Sequence, residues 1–521
     1  MNKQQRSPDH AQVGRQDTVA ASVGSWTLAA TILGSSMVFV DGTVVNVALP
    51  ALQGAFHTTG STLQWIVEAY VLSLASLLLL GGSFGDLYGR KRIFLIGVVL
   101  FGVSSISCGL ARGLGVIIAS RAVQGVGGAL LVPGSLALIS ASFPEEARGR
   151  AIGIWSGTTA IAAMVGPVLG GWLVQNASWR WIFFLNVPLA LAVTLILISK
   201  VSESRNPSAT RPDWMGACLA AIGLGLCTFA LIQSAYDTLT LLVIGAAGLL
   251  SLCGFVFWES KTDQPMMPLP LFCSRSFTIA NIVTLLIYAA LNGALYYLPL
   301  QLIQVQHYTA TRAGAALLPV SILISVLSRF TGGLVARFGP RLPLLAGTTF
   351  SAIGFALLLR LDVAGRYSDT VFPGVCVVGL GLAVLVAPLT TTVMNSVREE
   401  RSGAASGINN AVSNVARLLG ISLFGVLFSA AFQRSLSQNL GTSSLPAVAK
   451  QAMYAHRREL GGMTGLPGPA GQLIVNVAFV HALHLVFIVS AALSLLATAT
   501  LILLPDSKIT SAATCDLNSS D

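Results

Sequence analysis

The chain has 521 residues, is 54% hydrophobic and only 10% charged, and carries a net charge of +10. Its apolar residues fall in blocks far longer than a soluble core helix uses, which is a membrane composition and not that of a soluble domain. The basic residues sit in short clusters between those blocks instead of along one face, so the charge marks topology and not a nucleic-acid surface.

A hydrocarbon core of about 30 Å takes roughly 20 apolar residues per helix. Residues 1–25 are polar and read as a cytoplasmic tail. The first predicted span, 26–48, is too long for a signal-peptide core and runs into Pro50 instead of a small-residue cleavage site, so it is a retained helix. Spans at 62–82, 93–111, 114–140, 151–174 and 182–199 complete a six-helix bundle over 26–199. A charged linker containing Lys200, Glu203, Arg205, Arg211 and Asp213 leads to an insert of two spans, 214–235 and 239–258, within 200–276. A second bundle over 277–504 carries spans at 277–300, 312–336, 342–360, 370–394, 405–430 and 476–504. The stretch 431–475, with its Gly, Pro, Ser and basic residues, reads as a mobile outer loop, and the sequence leaves open whether a periplasmic adaptor docks there. Residues 505–521 form a second tail. The seven cysteines show no close pair and no metal-ligand spacing, so they read as apolar fillers, with no metal and no cofactor expected.

With the N-terminus inside, the inner short loops hold 14 Lys and Arg, from the Arg90–Arg92 cluster to Arg398 and Arg401. The outer short loops hold five: Arg112, Arg180, Arg312, Arg360 and Arg366. The bias puts both termini in the cytoplasm.

One motif occurs twice. GSFGDLYGRKR begins at Gly82 and GGLVARFGPR at Gly332, 250 residues later, each in the second hairpin of its six-helix half. Repeated bundles place a substrate site between them near the midplane. The first copy holds Gly82, Asp86, Gly89, Arg90 and Lys91: glycines for a tight turn between helix ends, and an acid with a basic cluster able to form ion pairs that latch one conformation. Ala336 replaces the acid in the second copy. The fourth span carries Arg121, Gln124 and Gly125; the fifth reads AMVGPVLGG, with Gly166, Pro167, Gly170 and Gly171 suited to close helix approach and a bend. VDGTVVNVALP closes the first span and WRWIFFLNVP opens the sixth.

These five motifs, in this order, resemble the major facilitator superfamily, specifically its fourteen-spanner drug:proton antiporter family, over Trp26 to Pro505. The resemblance implies an all-α polytopic membrane protein with two six-helix bundles plus a two-helix insert. It also implies export, because the fifth-span motif is associated with exporters. Leu87 and Ala162 depart from the family pattern.

Only two acids fall inside spans, Asp41 and Glu68, and each is a functional candidate by that fact. With Arg121 they lie roughly 10 to 12 Å below the outer helix ends and share one level of the first bundle. An acid whose hydration and distance from Arg121 change between conformations binds and releases protons, so these three are the expected proton-coupling residues. In the second half Arg417 and Arg329 lie in spans without an acid. Asn46, Gln124, Asn292, Asn410, Asn414 and Arg417 are candidates for the substrate cavity, with Asn281 and Asn409 as further polar contacts, and Arg329 caps the inner interface. The expected activity is proton-driven export of amphipathic drugs or antibiotics by a monomer. Its partners are the bilayer, the small-molecule substrate and protons. A proton-coupled uptake symporter, or a membrane receptor or enzyme on the same fold, are the alternatives, although no nucleophile motif or phosphate loop is present.

Overall fold

The computed structural model describes residues 9–205, 212–233, 238–331, 334–397, 402–457, 460 and 468–504. Arg211, Gly332, Arg398 and Arg401 lie outside the described residues, as do the side chains of Arg148, Arg150, Arg329 and Ala336.

Among the described residues, fourteen helices are long and apolar enough to cross a membrane. The first bundle holds α1 (Asp9–Phe56), α2 (Gly60–Tyr88), α3 (Arg90–Leu110), α4 (Leu114–Ser142), α5 (Glu145–Asn176) and α6 (Trp181–Lys200), the last broken at Leu185. The insert is α7 (Trp214–Ile232) and α8 (Thr238–Glu259). The second bundle holds α9 (Arg275–Gln304), α10 (Ala310–Leu327), α11 (Arg341–Leu357), α12 (Phe372–Asn395), α13 (Ser402–Thr442) and α14 (Gly468–Ile502). Side-chain caps fix several starts: Asp213 accepts from Gly216 N, Ser274 from Phe277 N and Thr309 from Arg312 N, each satisfying an otherwise free first-turn donor.

Two segments differ from the sequence reading. Helix α1 starts at Asp9, before the apolar block, and α13 runs to Thr442, where a loop was expected. A short helix, Ala447–Ala455, also occupies the expected loop. Polar residues continue a helix as readily as apolar ones, so hydropathy found where apolarity ends and not where the helix does.

Packing repeats with an offset of eight helices. In the first half α1 packs on α5 and α6, α2 on α4, and α3 on α4 and α6. In the second half α9 packs on α13 and α14, α10 on α12, and α11 on α12 and α14. The halves cross at two equivalent places, α5 on α10 and α2 on α13. The repeated loop shares this symmetry: Gly89 and Gly339, 250 positions apart, adopt φ +109° and +74°. That is the left-handed region open to glycine at little cost. Helices α7 and α8 pack on each other, and α7 also lies against α2 and α13.

Candidate functional site

Asp41 and Arg121 form an ion pair in which both side chains are essentially unexposed. An arginine in a span costs roughly 2.5–3.5 kcal/mol to insert unless it is paired, so every donor and acceptor around this one matters. Gln124 Nε2 donates to Asp41 Oδ1 at 2.9 Å, and Arg121 Nη1 donates to Gln124 Oε1 at 2.8 Å. Arg121 Nε donates to Ile66 O at 3.1 Å, and its guanidinium lies 4.2 Å from the Tyr70 ring centroid. Asn186 Nδ2 donates to Asp41 Oδ1 at 3.2 Å, and Ser105 Oγ accepts from both Gln124 and Asn186. Five helices thus meet on one buried charge pair. Asp41, Arg121 and Gln124 are residues that the sequence singles out. Asn186 sits inside the WRWIFFLNVP motif but was not singled out, and Ser105 and Tyr70 gave no signal. Gln124, a sequence candidate for the substrate cavity, is fully buried in the ion-pair network in this conformation.

Glu68 does not join that group. It is fully buried on α2 but faces the other half, where Ser422 Oγ donates to its Oε1 at 3.1 Å. Its Oε2 has no hydrogen-bond partner among the described residues. One turn earlier, Gln64 Nε2 donates to Tyr297 Oη at 3.1 Å and lies 3.3 Å from Ile421 O. Arg417 reaches back across the interface, donating from Nη2 to Gly42 O at 2.9 Å. The shared level expected of Asp41, Glu68 and Arg121 therefore splits: the pair closes inside one bundle and Glu68 lies in the seam.

The fifth-span glycines are contact surfaces, Gly166 and Gly170 for α1 in the same bundle and Gly171 for α10 at the other crossing. A Cβ on Gly166 would lie 2.3 Å from Thr43 Oγ1, and one on Gly170 would lie 2.1 Å from Val44 Cγ2. On Gly171 it would lie 2.3 Å from Ala310 O, and on Gly314 2.2 Å from Pro167 O. Pro167 has no N–H for the carbonyl of Ala163, four residues earlier, and Thr43 Oγ1 lies 3.2 Å from that oxygen. Nearby, Thr311 Oγ1 donates to Gln175 at 2.9 Å and Gln304 Nε2 to Gln53 at 2.7 Å. These hydrogen bonds between halves fall between mid-depth and the Gln53 end. Closer to the Asp86 end, Leu79 meets Gly407 through apolar contact.

The Gly82 loop closes on itself. Arg90 pairs with Asp86 at 2.8 Å, and Gly82 lies against Pro133. The linker clamps the start of α3: Glu203 accepts from Lys91 N at 3.0 Å and Arg92 N at 3.1 Å, and Lys91 Nζ donates to Val201 O at 2.7 Å. Among the described residues Asp86 and Arg90 make no hydrogen bond or ion pair with the second half.

The remaining candidates disperse. Asn46 is half-buried with Oδ1 unpartnered among the described residues. Asn292 and Asn414 bond carbonyls one turn back on their own helices, Tyr288 O and Asn410 O, and Asn410 is exposed. Asn409 bridges to Asn281 at 3.1 Å and Thr284 at 2.8 Å, tying α13 to α9. Among the described residues no three His, Cys, Asp or Glu are grouped to hold a metal ion.

A family profile described as the Major Facilitator Superfamily matches residues 31–421. The chain is 36% identical to multidrug resistance protein Stp of Mycobacterium tuberculosis (strain CDC 1551 / Oshkosh) over 80% of this chain and 78% of that one. It is 31% identical to the tetracenomycin C resistance and export protein of Streptomyces glaucescens over 91% and 90%. It is also 31% identical to the multidrug export protein EmrB of Haemophilus influenzae over 75% and 78%. Among solved structures, a bacterial homologue of the human lysosomal transporter Spinster superposes with TM-score 0.65 at 16% identity, covering 92% of this chain and 98% of that one. A D-xylose–proton symporter superposes with TM-score 0.58 at 15% identity, covering 85% and 98%. At those identities the likeness is one of fold.

Proposed function

Since the chain belongs to the Major Facilitator Superfamily and is a multi-pass membrane transporter with multidrug and antibiotic efflux relatives, we propose that it exports amphipathic drugs or antibiotics in exchange for protons. The observation that carries this reading is the buried Asp41–Arg121–Gln124 network beside Glu68, a second carboxyl lying in the seam between the halves. Glu68 is the acid whose surroundings change most when the halves part: the Ser422 bond breaks and water reaches it. A carboxyl that alternates between a dry seam and water changes its proton affinity, and that is the coupling device. Asp41, held by Arg121, responds through Gln124 and Asn186.

In this reading the Asp86 end is cytoplasmic, the termini lie on that side, and Asp86, Gly89, Arg90 and Lys91 latch the halves when the opposite end opens. Gly171 and Gly314 give the α5–α10 crossing the close contact on which rocking proceeds. Each proton moving inward across 100 mV supplies about 2.3 kcal/mol, besides the pH gradient, to drive solute outward.

The test is efflux of a monocationic dye from energised cells and its uptake into inverted vesicles. Wild type should respond to an imposed pH gradient, and Glu68→Gln should lose that response while still binding dye. A Glu68→Gln variant with an unchanged gradient response removes this acid from the proton path. Gradient-driven uptake of a sugar by native-orientation vesicles would favour a symporter instead.

A further inference from the structure

We propose that the cavity walled by α1, α2, the α7–α8 insert, α9, α13 and α14 is a binding site for neutral, hydrogen-bonding aromatic amphiphiles, one wall of which the insert supplies. The proposal rests on the exporter reading and names the ligand class this site would accept. The cavity holds about 400 Å³, within the roughly 300–1,000 Å³ of drug-sized pockets. It lies toward the Gln53 end, where both halves and the insert meet.

Its chemistry is unusual for a membrane protein. Five glutamines line it, Gln53 and Gln64 from the first half, Gln233 from the insert, and Gln304 and Gln433 from the second half. A primary amide both donates and accepts, so amides from three bodies can bond carbonyls and hydroxyls on one ligand. Among the described residues no Asp, Glu, Lys or Arg lines the cavity, so a charged ligand would lose hydration there without gaining a counter-charge from them.

One wall is aromatic and preset. Tyr297 stacks on Phe428 with centroids 4.2 Å apart, and Phe479 meets Phe428 edge-on at 4.8 Å; Tyr297 and Phe479 face the cavity. Such a surface favours a flat ring system.

The floor is the Gln64–Tyr297 hydrogen bond, and Glu68 lies one turn deeper on α2. A ligand that recruits Gln64 therefore disturbs the turn that carries the seam acid.

The test uses the purified full-length protein in lipid nanodiscs, titrated by fluorescence with a neutral dihydroxyanthraquinone and with an anthraquinone sulfonate. Wild type should bind the neutral probe saturably and the anion about tenfold more weakly. Ser429→Trp, which fills the cavity, should raise Kd for the neutral probe about tenfold, and Gln233→Leu on the insert severalfold. Leu195→Trp, on the lipid-facing side of α6, should change nothing. Gel filtration checks each fold; if Ser429→Trp is misfolded, Gln233→Leu decides. No saturable binding by wild type, or wild-type affinity in the folded cavity variants, overturns the proposal. Gradient-driven dye uptake into inverted vesicles separates the two readings. If uptake persists while cavity variants bind normally, only the cavity assignment fails; if wild type shows no gradient response, the exporter reading fails and the binding result stands by itself.

Discussion

Arg121 is the residue on which the first bundle's polar interior turns. It bonds Asp41, Gln124 and the Ile66 carbonyl and lies under the Tyr70 ring, so it holds α1, α2 and α4 together through one side chain. Replacing it with Ala leaves Asp41 buried without its counter-charge, a change that costs roughly 3–5 kcal/mol in comparable pairs. Arg121→Ala should therefore lower thermal stability and abolish gradient-driven efflux. Arg121→Lys should restore part of the rate, because Lys keeps the charge but loses the planar fork that serves Asp41 and Gln124 together. A normal proton-dependent rate in folded Arg121→Ala would leave the residue a structural role only. That Arg121 needs an acidic partner was readable from the chain, because an ionisable residue within an apolar span needs one; which of Asp41 and Glu68 it takes was not. Asn186 and Ser105 were not, because a neutral polar residue in such a span satisfies itself on its own helix as readily as it joins a network, as Asn292 does.

At the scale of helices, two glycine positions carry separable predictions. Gly171 touches the Ala310 carbonyl across the α5–α10 crossing, so Gly171→Leu should force those helices apart. Transport should fall to background while membrane insertion and expression persist, since each helix still spans; wild-type efflux would show that the contact is dispensable. Gly89 has φ +109°, and its missing Cβ would lie 2.8 Å from the Glu203 carboxyl carbon. Gly89→Val meets both a backbone cost of at least about 1–2 kcal/mol and a clash with the group that caps α3. It should sharply reduce efflux, as should Asp86→Asn, which removes the Arg90 pair; undiminished efflux from well-inserted protein would sink the latch. The fourteen spans were legible because a bilayer sets a minimum apolar length. The polar extensions at Asp9 and Thr442 and the Glu203 clamp were not, since helix continuation in water leaves no hydropathy mark and the clamp joins residues over 100 positions apart.

At the scale of the whole molecule, the eight-helix offset makes the two crossings geometrically equivalent but chemically unlike. One, α5 on α10, is built from glycine, proline and backbone carbonyls; the other, α2 on α13, carries Gln64, Glu68 and Ser422. Asymmetry imposed on a symmetric frame puts the titratable seam on one side, and the insert packs against that same side through α2 and α13. The charges follow the same division. Asp41 and Glu68 both belong to the first half, and Arg417, from the second, adds positive charge to the seam at Gly42. A dication entering between the halves would find one carboxyl already held by Arg121 and a single seam acid facing an arginine-bearing partner, leaving its second charge desolvated and unpaired. Neutral, anionic and monocationic amphiphiles should accordingly be preferred over dications. Matched mono- and divalent dyes measured in inverted vesicles under one pH gradient give the comparison, repeated with Asp41→Asn and Glu68→Gln. The monovalent dye should be transported at least about tenfold faster at equal concentration, equivalent to roughly 1.4 kcal/mol of discrimination. Strong, gradient-dependent transport of the divalent dye would mean that a second negative group reaches the seam in the conformation that accepts substrate, and the charge argument would fall with it.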